Sequence, residues 1–482
     1  MVGDARQDAG HPDCWRALAV CLLAGFMTLL DVSIVNVALP SIQRGLHAGS
    51  VDVSWLKAGY TLTFGLCLIP AGKLGDTFGR KRMFLTGVAM FTAVSGLCAA
   101  APNPSFLVAA RLLQGVAGGL LNPQIIGTVQ QLFRGAERGR AFGFYGATVA
   151  VGTAIGPLTG GLLITGGGWR WVFLVNLPIG VLAVALGAWF IPSIRPATPA
   201  GRVDTLGVLL SGGAITTLML PLIEQQQPHT RVHWWLLGLS VALLTAFVVW
   251  QLLLARVGKN PLIDLRLLAS RTFSMSAGLG LVYFASYPIL LFILSLFLQQ
   301  GLQYSPLAAG ATAMPFAVGS AISSSLGGRA VYRFGRPMVM AGLVAVTLGL
   351  AVTAWLVHQH TQASVWLALI APLLVAGLGS GLVIGPNQTL ALRSIAPAVS
   401  GTAAAVLQTG QRIGTSIGSA LGATVFFSHL STHRSGYAAA ASASFSIAAA
   451  LAGVALVVAA LDLALARFAP RVRAHRPSPG PT

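Results

Sequence analysis

The chain has little charge. Only 9% of its 482 residues are Asp, Glu, Lys or Arg, and 11 of them are acidic. A soluble protein of this length cannot clothe its surface with so few ions, so a sizeable soluble enzyme or receptor output domain is excluded. Cysteine is scarce as well. Cys14, Cys21, Cys67 and Cys98 fall in or beside the first three apolar runs, with no metal-ligand spacing and no outer-loop pair, and read as small core residues. There is no G-x-x-x-x-G-K-[ST] loop, since "AGKLGD" (Ala71 to Asp76) is not a phosphate cradle, and no ATP is implied. The histidines, such as His47, His233, His358 and His429, lie near run ends or in loops. Neither a nucleophile with its base nor a metal cluster is therefore expected within the apolar runs. The chain reads as a non-enzyme without a cofactor.

What it has in abundance is apolar length. Hydrophobic residues make up 55% of the sequence, and the mean hydropathy is +0.78. Fourteen runs recur between residues 15 and 466, each long enough to cross a hydrocarbon core of about 30 Å as a helix. They lack the alternation of barrel strands, and lipid satisfies no backbone group, so helices follow. The first run, near 15 to 40, is too long for a removable signal peptide and lacks a small-residue cleavage site after it.

The net charge of +19 invites a nucleic-acid partner, but the placement of the basic residues argues against one. They occupy alternate loops. One side collects Lys73, Arg80, Lys81, Arg82, Arg134, Arg138, Arg140, Arg256, Lys259, Arg329, Arg333 and Arg393, among others, while the other holds only Arg44, Arg170, Arg231 and Arg434. The positive-inside rule then places both termini in the cytoplasm, with the excess charge facing anionic lipid. The tails, rich in Pro and Arg at the C-terminal end, read as disordered.

The sequence also repeats itself. "GKLGDTFGRKR" (Gly72 to Arg82), after run 2, shares a frame with the stretch from Gly328 to Met338 after run 10, where Gly328, Arg329 and Ala330 lead into "VYRFGRPM". Gly72, Lys73, Phe78, Gly79 and Arg80 align with Gly328, Arg329, Phe334, Gly335 and Arg336. Two six-helix halves follow, with runs 7 and 8 inserted between them. The expected division is a tail 1–13, an N-terminal half 14–192, a linker 193–270 carrying the inserted pair, a C-terminal half 271–468, and a tail 469–482. Parallel repeats of this kind build transporters whose substrate site lies between the halves near mid-membrane.

On these residues the chain resembles the major facilitator superfamily, and within it the fourteen-helix drug:proton antiporters. The motifs are "LDVSIVNVALP" (Leu30 to Pro40), "GKLGDTFGRKR", "RLLQG" (Arg111 to Gly115), "GTAIGPLTGG" (Gly152 to Gly161), "WRWVFLVNLPIG" (Trp169 to Gly180) and "PLIDLRLL" (Pro261 to Leu268). The resemblance implies an all-α membrane protein of the major facilitator fold with fourteen transmembrane helices. It also implies proton-coupled efflux of small lipophilic compounds across a bacterial cytoplasmic membrane by a functional monomer. A proton-coupled importer or uniporter of a metabolite is the alternative, because one fold hosts both.

The candidate residues follow. Asp31 is a lone carboxylate in an apolar run, and such groups mark ion or proton paths. At about 1.5 Å per residue it lies roughly 12 Å inward from Pro40, while Arg111 lies roughly 9 Å inward from Ser105, so the two can meet. The resemblance makes Arg111 the partner that shifts the proton affinity of Asp31; a static staple between runs 1 and 4 is the plainer reading. Asn36, Lys57, Tyr60, Gln114 and Arg412 are candidates for the substrate cavity or its charge balance, although Lys57, about one turn below the outer surface, is expected to snorkel. With no acid in runs 9 to 14 before Asp462, neutral, zwitterionic or anionic cargo fits better than a dication. Gly72, Asp76, Gly79, Arg80 and Lys81 form, by resemblance, a latch for the inward-closed state; Thr77 replaces a frequent arginine there, and Tyr332 stands at the Asp76 position of the second copy. Gly152, Gly156, Pro157, Gly160 and Gly161 carry the antiporter motif, which the resemblance places at the interface between halves. Gly410, Gly414, Gly418 and Gly422 repeat the rhythm in run 13, each stripe admitting a close helix neighbour.

Overall fold

The computed structural model describes residues 13–194, 204–225, 232–257, 259, 261–359, 365–393, 395–432 and 436–468. The expected disordered tails, apart from residue 13, lie outside the described residues. Among the described residues every regular element is a helix. A first set comprises α1 (Cys14–Leu46), α2 (Ser50–Phe78), α3 (Arg80–Ala99), α4 (Pro104–Leu132), α5 (Gly135–Gly167) and α6 (Asn176–Phe190). Then come α7 (Thr205–Glu224) and α8 (Trp235–Arg256), followed by a second set of α9 (Arg271–Leu296), α10 (Pro306–Phe334), α11 (Arg336–Gln359), α12 (Val365–Leu392), α13 (Ser400–Thr432) and α14 (Tyr437–Phe468). Single turns at Trp171–Leu174 and Arg266–Ala269 precede α6 and α9.

Among the described residues twelve stretches are long and apolar enough to cross a membrane, thirteen if the bent α5 is one span. The chain is therefore a multi-pass membrane protein. The exception is α2, ample at 29 residues but carrying Asp52, Lys57, Lys73 and Asp76. Composition thus supports twelve or thirteen of the fourteen expected crossings.

Helix starts follow local chemistry. Asn103 accepts the N–H of Phe106 at 2.9 Å, with Pro104 in the first turn of α4, and Ser305 accepts that of Ala308 at 3.2 Å, with Pro306 opening α10.

The two sets pack alike. In the first, α1 lies on α5 and α6, α2 on α4, and α3 on α4 and α6; in the second, α9 lies on α13 and α14, α10 on α12, and α11 on α12 and α14. The sets meet where α5 packs on α10 and α2 on α13, while α7 and α8 pair and lean on α2. Asp204 fixes that pair, accepting from Gly207 N at 2.9 Å, Trp250 Nε1 at 2.9 Å and Gln251 Nε2 at 2.7 Å.

The glycine stripes explain the likeness. A Cβ on Gly152, Gly156 or Gly160 would meet Leu29, Ser33 or Ile34 of α1, and one on Gly414, Gly418 or Gly422 would meet Leu281, Ala285 or Ile289 of α9. Each stripe seats the first helix of its own set, so the expectation that Gly152, Gly156 and Gly160 face the other half is corrected. From that motif it is Pro157 that approaches α10, where a Cβ on Gly310 would lie 3.3 Å from it. Gly161 faces open space. Pro157 has no N–H for the carbonyl of Thr153, four residues back, and α5 bends there by about 40°. The hydroxyl of Ser33 donates to the freed Thr153 oxygen at 2.8 Å, so the break in α5 becomes a bond to α1.

Candidate functional site

The stripe holds α1 so that Asp31 turns into the first helix set, where it is fully buried. Three side chains serve its carboxylate: Arg111 Nη1 donates at 2.6 Å, Asn176 Nδ2 at 2.9 Å and Gln114 Nε2 at 3.1 Å. Gln114 and Asn176 also reach the Ser95 hydroxyl, at 2.7 and 3.3 Å. Arg111 is itself 2% exposed; it bonds Gln114 Oε1 at 2.8 Å and the Leu56 carbonyl at 3.3 Å, and stacks 4.3 Å from the Tyr60 ring centre. An ion pair so far from water holds only if its remaining donors and acceptors are matched, and these contacts match them. Four helices, α1, α3, α4 and α6, therefore converge on one carboxylate.

The structure thus joins Asp31 to Arg111, the meeting that helical rise allows, and brings to them Gln114 and Tyr60, which were expected at the substrate cavity; it leaves Asn36 out: five positions along α1, it points to another face and is exposed. Ser95 and Asn176 were missed. The signal available was Asn176, the amide inside the apolar "VFLVNLPIG".

The second set has no such ion pair at the matching place. Since Leu29 and Ser33 correspond to Leu281 and Ala285, Asp31 corresponds to Tyr283, whose hydroxyl donates to Ser380 Oγ at 2.7 Å. Tyr283, Tyr287, Phe316 and Leu290 line a small cleft there.

Tyr60 and Phe64 stand between the Asp31 site and the seam joining the sets, both almost completely buried. Across Phe64, the Arg412 guanidinium of α13 stacks 4.2 Å from the ring centre. One end of the same face of α2 holds Lys57, whose ammonium lies 5.3 Å from the Phe292 ring centre of α9. Lys57 therefore reaches across the seam to the second set. Glu224 is no partner for it, being engaged by His233 at 3.1 Å.

At the other end of α2, the latch residues come together across the sets. Asp76 pairs with Arg80 at 2.6 Å and accepts Gly401 N at 3.1 Å, Thr402 N at 2.9 Å and Thr402 Oγ1 at 2.8 Å. These are the first-turn groups of α13, where the helix dipole favours an anion. Arg80 donates to the Pro397 carbonyl at 2.8 Å, and Gln130 to that of Leu392 at 2.6 Å. Gly72 allows the approach, because a Cβ there would lie 2.6 Å from the Gly401 carbonyl oxygen. Gly79 turns the chain at φ +97°, a conformation that glycine accepts without strain. Lys81 bonds the Ala188 carbonyl at 2.7 Å within its own set and takes no part in the crossing. In the second copy Arg336 pairs instead with Asp462 at 2.6 Å, and Tyr332 lies under Arg393.

Comparison with known proteins agrees with this architecture. A family model described as Major Facilitator Superfamily matches residues 21–419, with a further match over 275–482. The chain is 36% identical over 406 residues to the probable actinorhodin transporter of Streptomyces coelicolor, covering 83% of this chain and 70% of that one. It is 35% identical over 413 residues to the puromycin resistance protein pur8 of Streptomyces alboniger, covering 84% and 80%. The crystal structure of the human organic anion transporter MFSD10 superposes with a TM-score of 0.66 at 15% identity, covering 93% of this chain and 100% of that one, a likeness of fold alone.

Proposed function

Because the chain belongs to the Major Facilitator Superfamily and is a transporter rather than an enzyme, we propose that it exports small lipophilic compounds, drugs or antibiotics among them, in exchange for protons. The names of its relatives support that cargo class. The observation that carries the reading is Asp31, a fully buried carboxylate on which four helices of the first set converge. Functional ion paths in membranes are built on such groups. Arg111, Gln114 and Asn176 are the donors that would have to release the carboxylate when a proton takes their place.

The halves 14–192 and 271–468 would rock about the seam, with α7 and α8 as the inserted pair. The Asp76 end faces the cytoplasm in this reading, together with both termini, so the contacts to Gly401 and Thr402 close the inner side of a bacterial cytoplasmic membrane. Substrate enters that side once they break. The protein works as a monomer, with lipid, protons and cargo as its partners, without cofactor or nucleic acid.

Inverted vesicles test this. Acidifying the lumen should drive uptake of cargo, purified protein should release protons when substrate is added, and Asp31→Asn should abolish both while leaving the protein folded. Full gradient-driven transport by Asp31→Asn, or uptake only when the imposed gradient is reversed, overturns the reading, the second outcome in favour of an importer.

A further inference from the structure

Among the described residues, Lys57 and Arg412 are cations in the seam with no ion pair. Lys57 extends from α2 over Phe292 of α9, and Arg412 extends from α13 over Phe64 of α2, so each crosses from one set to a ring of the other. Among the described residues neither lies within ion-pair distance of a carboxylate. The acids near the bundle interior are engaged elsewhere: Asp31 by Arg111, Asp76 by Arg80, Asp462 by Arg336. Asp52, the acid nearest Lys57 in sequence, accepts the Gly49 N–H. An uncompensated cation at membrane depth is costly, and a ring face offsets only part of that cost.

We propose that Lys57 and Arg412 form the binding site for an organic anion with an aromatic body. This deepens the transport reading above and rests on it for the cargo's path, not for its binding. Lys57 and Phe64 are seven residues apart, two turns or about 10.5 Å along one face of α2, a span that matches a fused-ring molecule. The Lys57 side chain is exposed and Arg412 half-buried, so both charges are reachable from the seam. Phe292, half-buried, provides an apolar face beside Lys57, while Phe64 is covered by Arg412 itself and holds that guanidinium in place. Gln408, one turn before Arg412, lies beside the Tyr145 hydroxyl and keeps its Oε1 buried and unmatched, an acceptor suited to a hydroxyl on the same ligand. The anion neutralises the cations, and neither Asp31 nor the latch has to change for it to bind.

Equilibrium binding to the full-length protein in nanodiscs of zwitterionic lipid tests the site with two probes of one ring system. These are 8-anilinonaphthalene-1-sulfonate and its uncharged parent N-phenyl-1-naphthylamine. Arg412→Gln and Lys57→Gln should each weaken the sulfonate by about tenfold or more, while the parent stays within about twofold. Arg412→Lys should keep most of the sulfonate affinity, and added salt should weaken the sulfonate alone. Equal losses for both probes, or a sulfonate affinity indifferent to both Gln variants, overturn the proposal. No gradient is applied, so a failure of proton coupling would appear separately, as intact sulfonate binding without driven transport.

Discussion

Asp76 and Thr402 are bonded twice: the backbone N–H and the hydroxyl of Thr402 both donate to the same carboxylate oxygen, at 2.9 and 2.8 Å. One side chain of α2 thereby caps the first turn of α13, and the two helix sets are clasped at that end by an acid that also holds Arg80.

Replacing Asp76 with Ala would orphan the Gly401 and Thr402 N–H groups and leave buried Arg80 unpaired. Breaking a buried pair from one side costs about 3–5 kcal/mol, and about 5.5 kcal/mol carries a two-state equilibrium from 99:1 to 1:99. Spin labels at this end of α2 and α13 should therefore show a second, longer distance in Asp76→Ala, together with reduced transport. Retention of one short distance would show that Gln130 and Arg80 hold the ends alone.

The second copy of the motif can be given the missing acid. A Cβ on Gly139 of α5 would lie 3.2 Å from Tyr332, with Arg393 over the same ring. Tyr332→Asp should place a carboxylate near the start of α5 as Asp76 lies near that of α13, lengthening the closed state and slowing turnover. Stopped-flow transport would show a lower rate with cargo affinity little changed.

Within one motif, Gly156 and Gly161 should respond in opposite directions. A methyl group on Gly156 runs into Ser33, whereas one on Gly161 meets nothing within 4 Å. Gly156→Ala should cost about 1–3 kcal/mol through overpacking, and Gly161→Ala should gain about 0.5–1 kcal/mol by helix propensity. Thermal unfolding in detergent distinguishes them.

Asn176→Leu removes one of three donors from the Asp31 carboxylate and takes an amide away from Ser95. A lost hydrogen bond to a charged group costs about 1.5–3 kcal/mol, so thermal unfolding in detergent should move to lower temperature and gradient-driven transport should fall. Full transport by Asn176→Leu would separate Asn176 from the work of the Asp31 site.

Much of this was legible in the chain. Asp31, Arg111 and the α2 loop stand out because charge is rare at their depth, and helical rise alone brings the first two level. Glycine spacing announced two flat helix faces but not their neighbours: periodicity describes a face, and only packing chooses what it meets, which is why the Gly156 stripe proved to seat α1. Ser95 and Asn176 are single polar groups whose convergence depends on three helices far apart in sequence. The contacts of Asp76 with Gly401 and Thr402 depend on backbone N–H groups, which every residue but proline carries and no pattern can flag.

Tyr283, bonded to Ser380, stands in the second set where Asp31 stands in the first. If Asp31 alone carries the exchange proposed above, each cycle draws on one proton. A 100 mV potential then supplies about 2.3 kcal/mol, which caps the potential-driven concentration ratio of an uncharged cargo at about fiftyfold. A departing monoanion would itself fall through the same field, and its ceiling would be the square of that, on the order of 2,500.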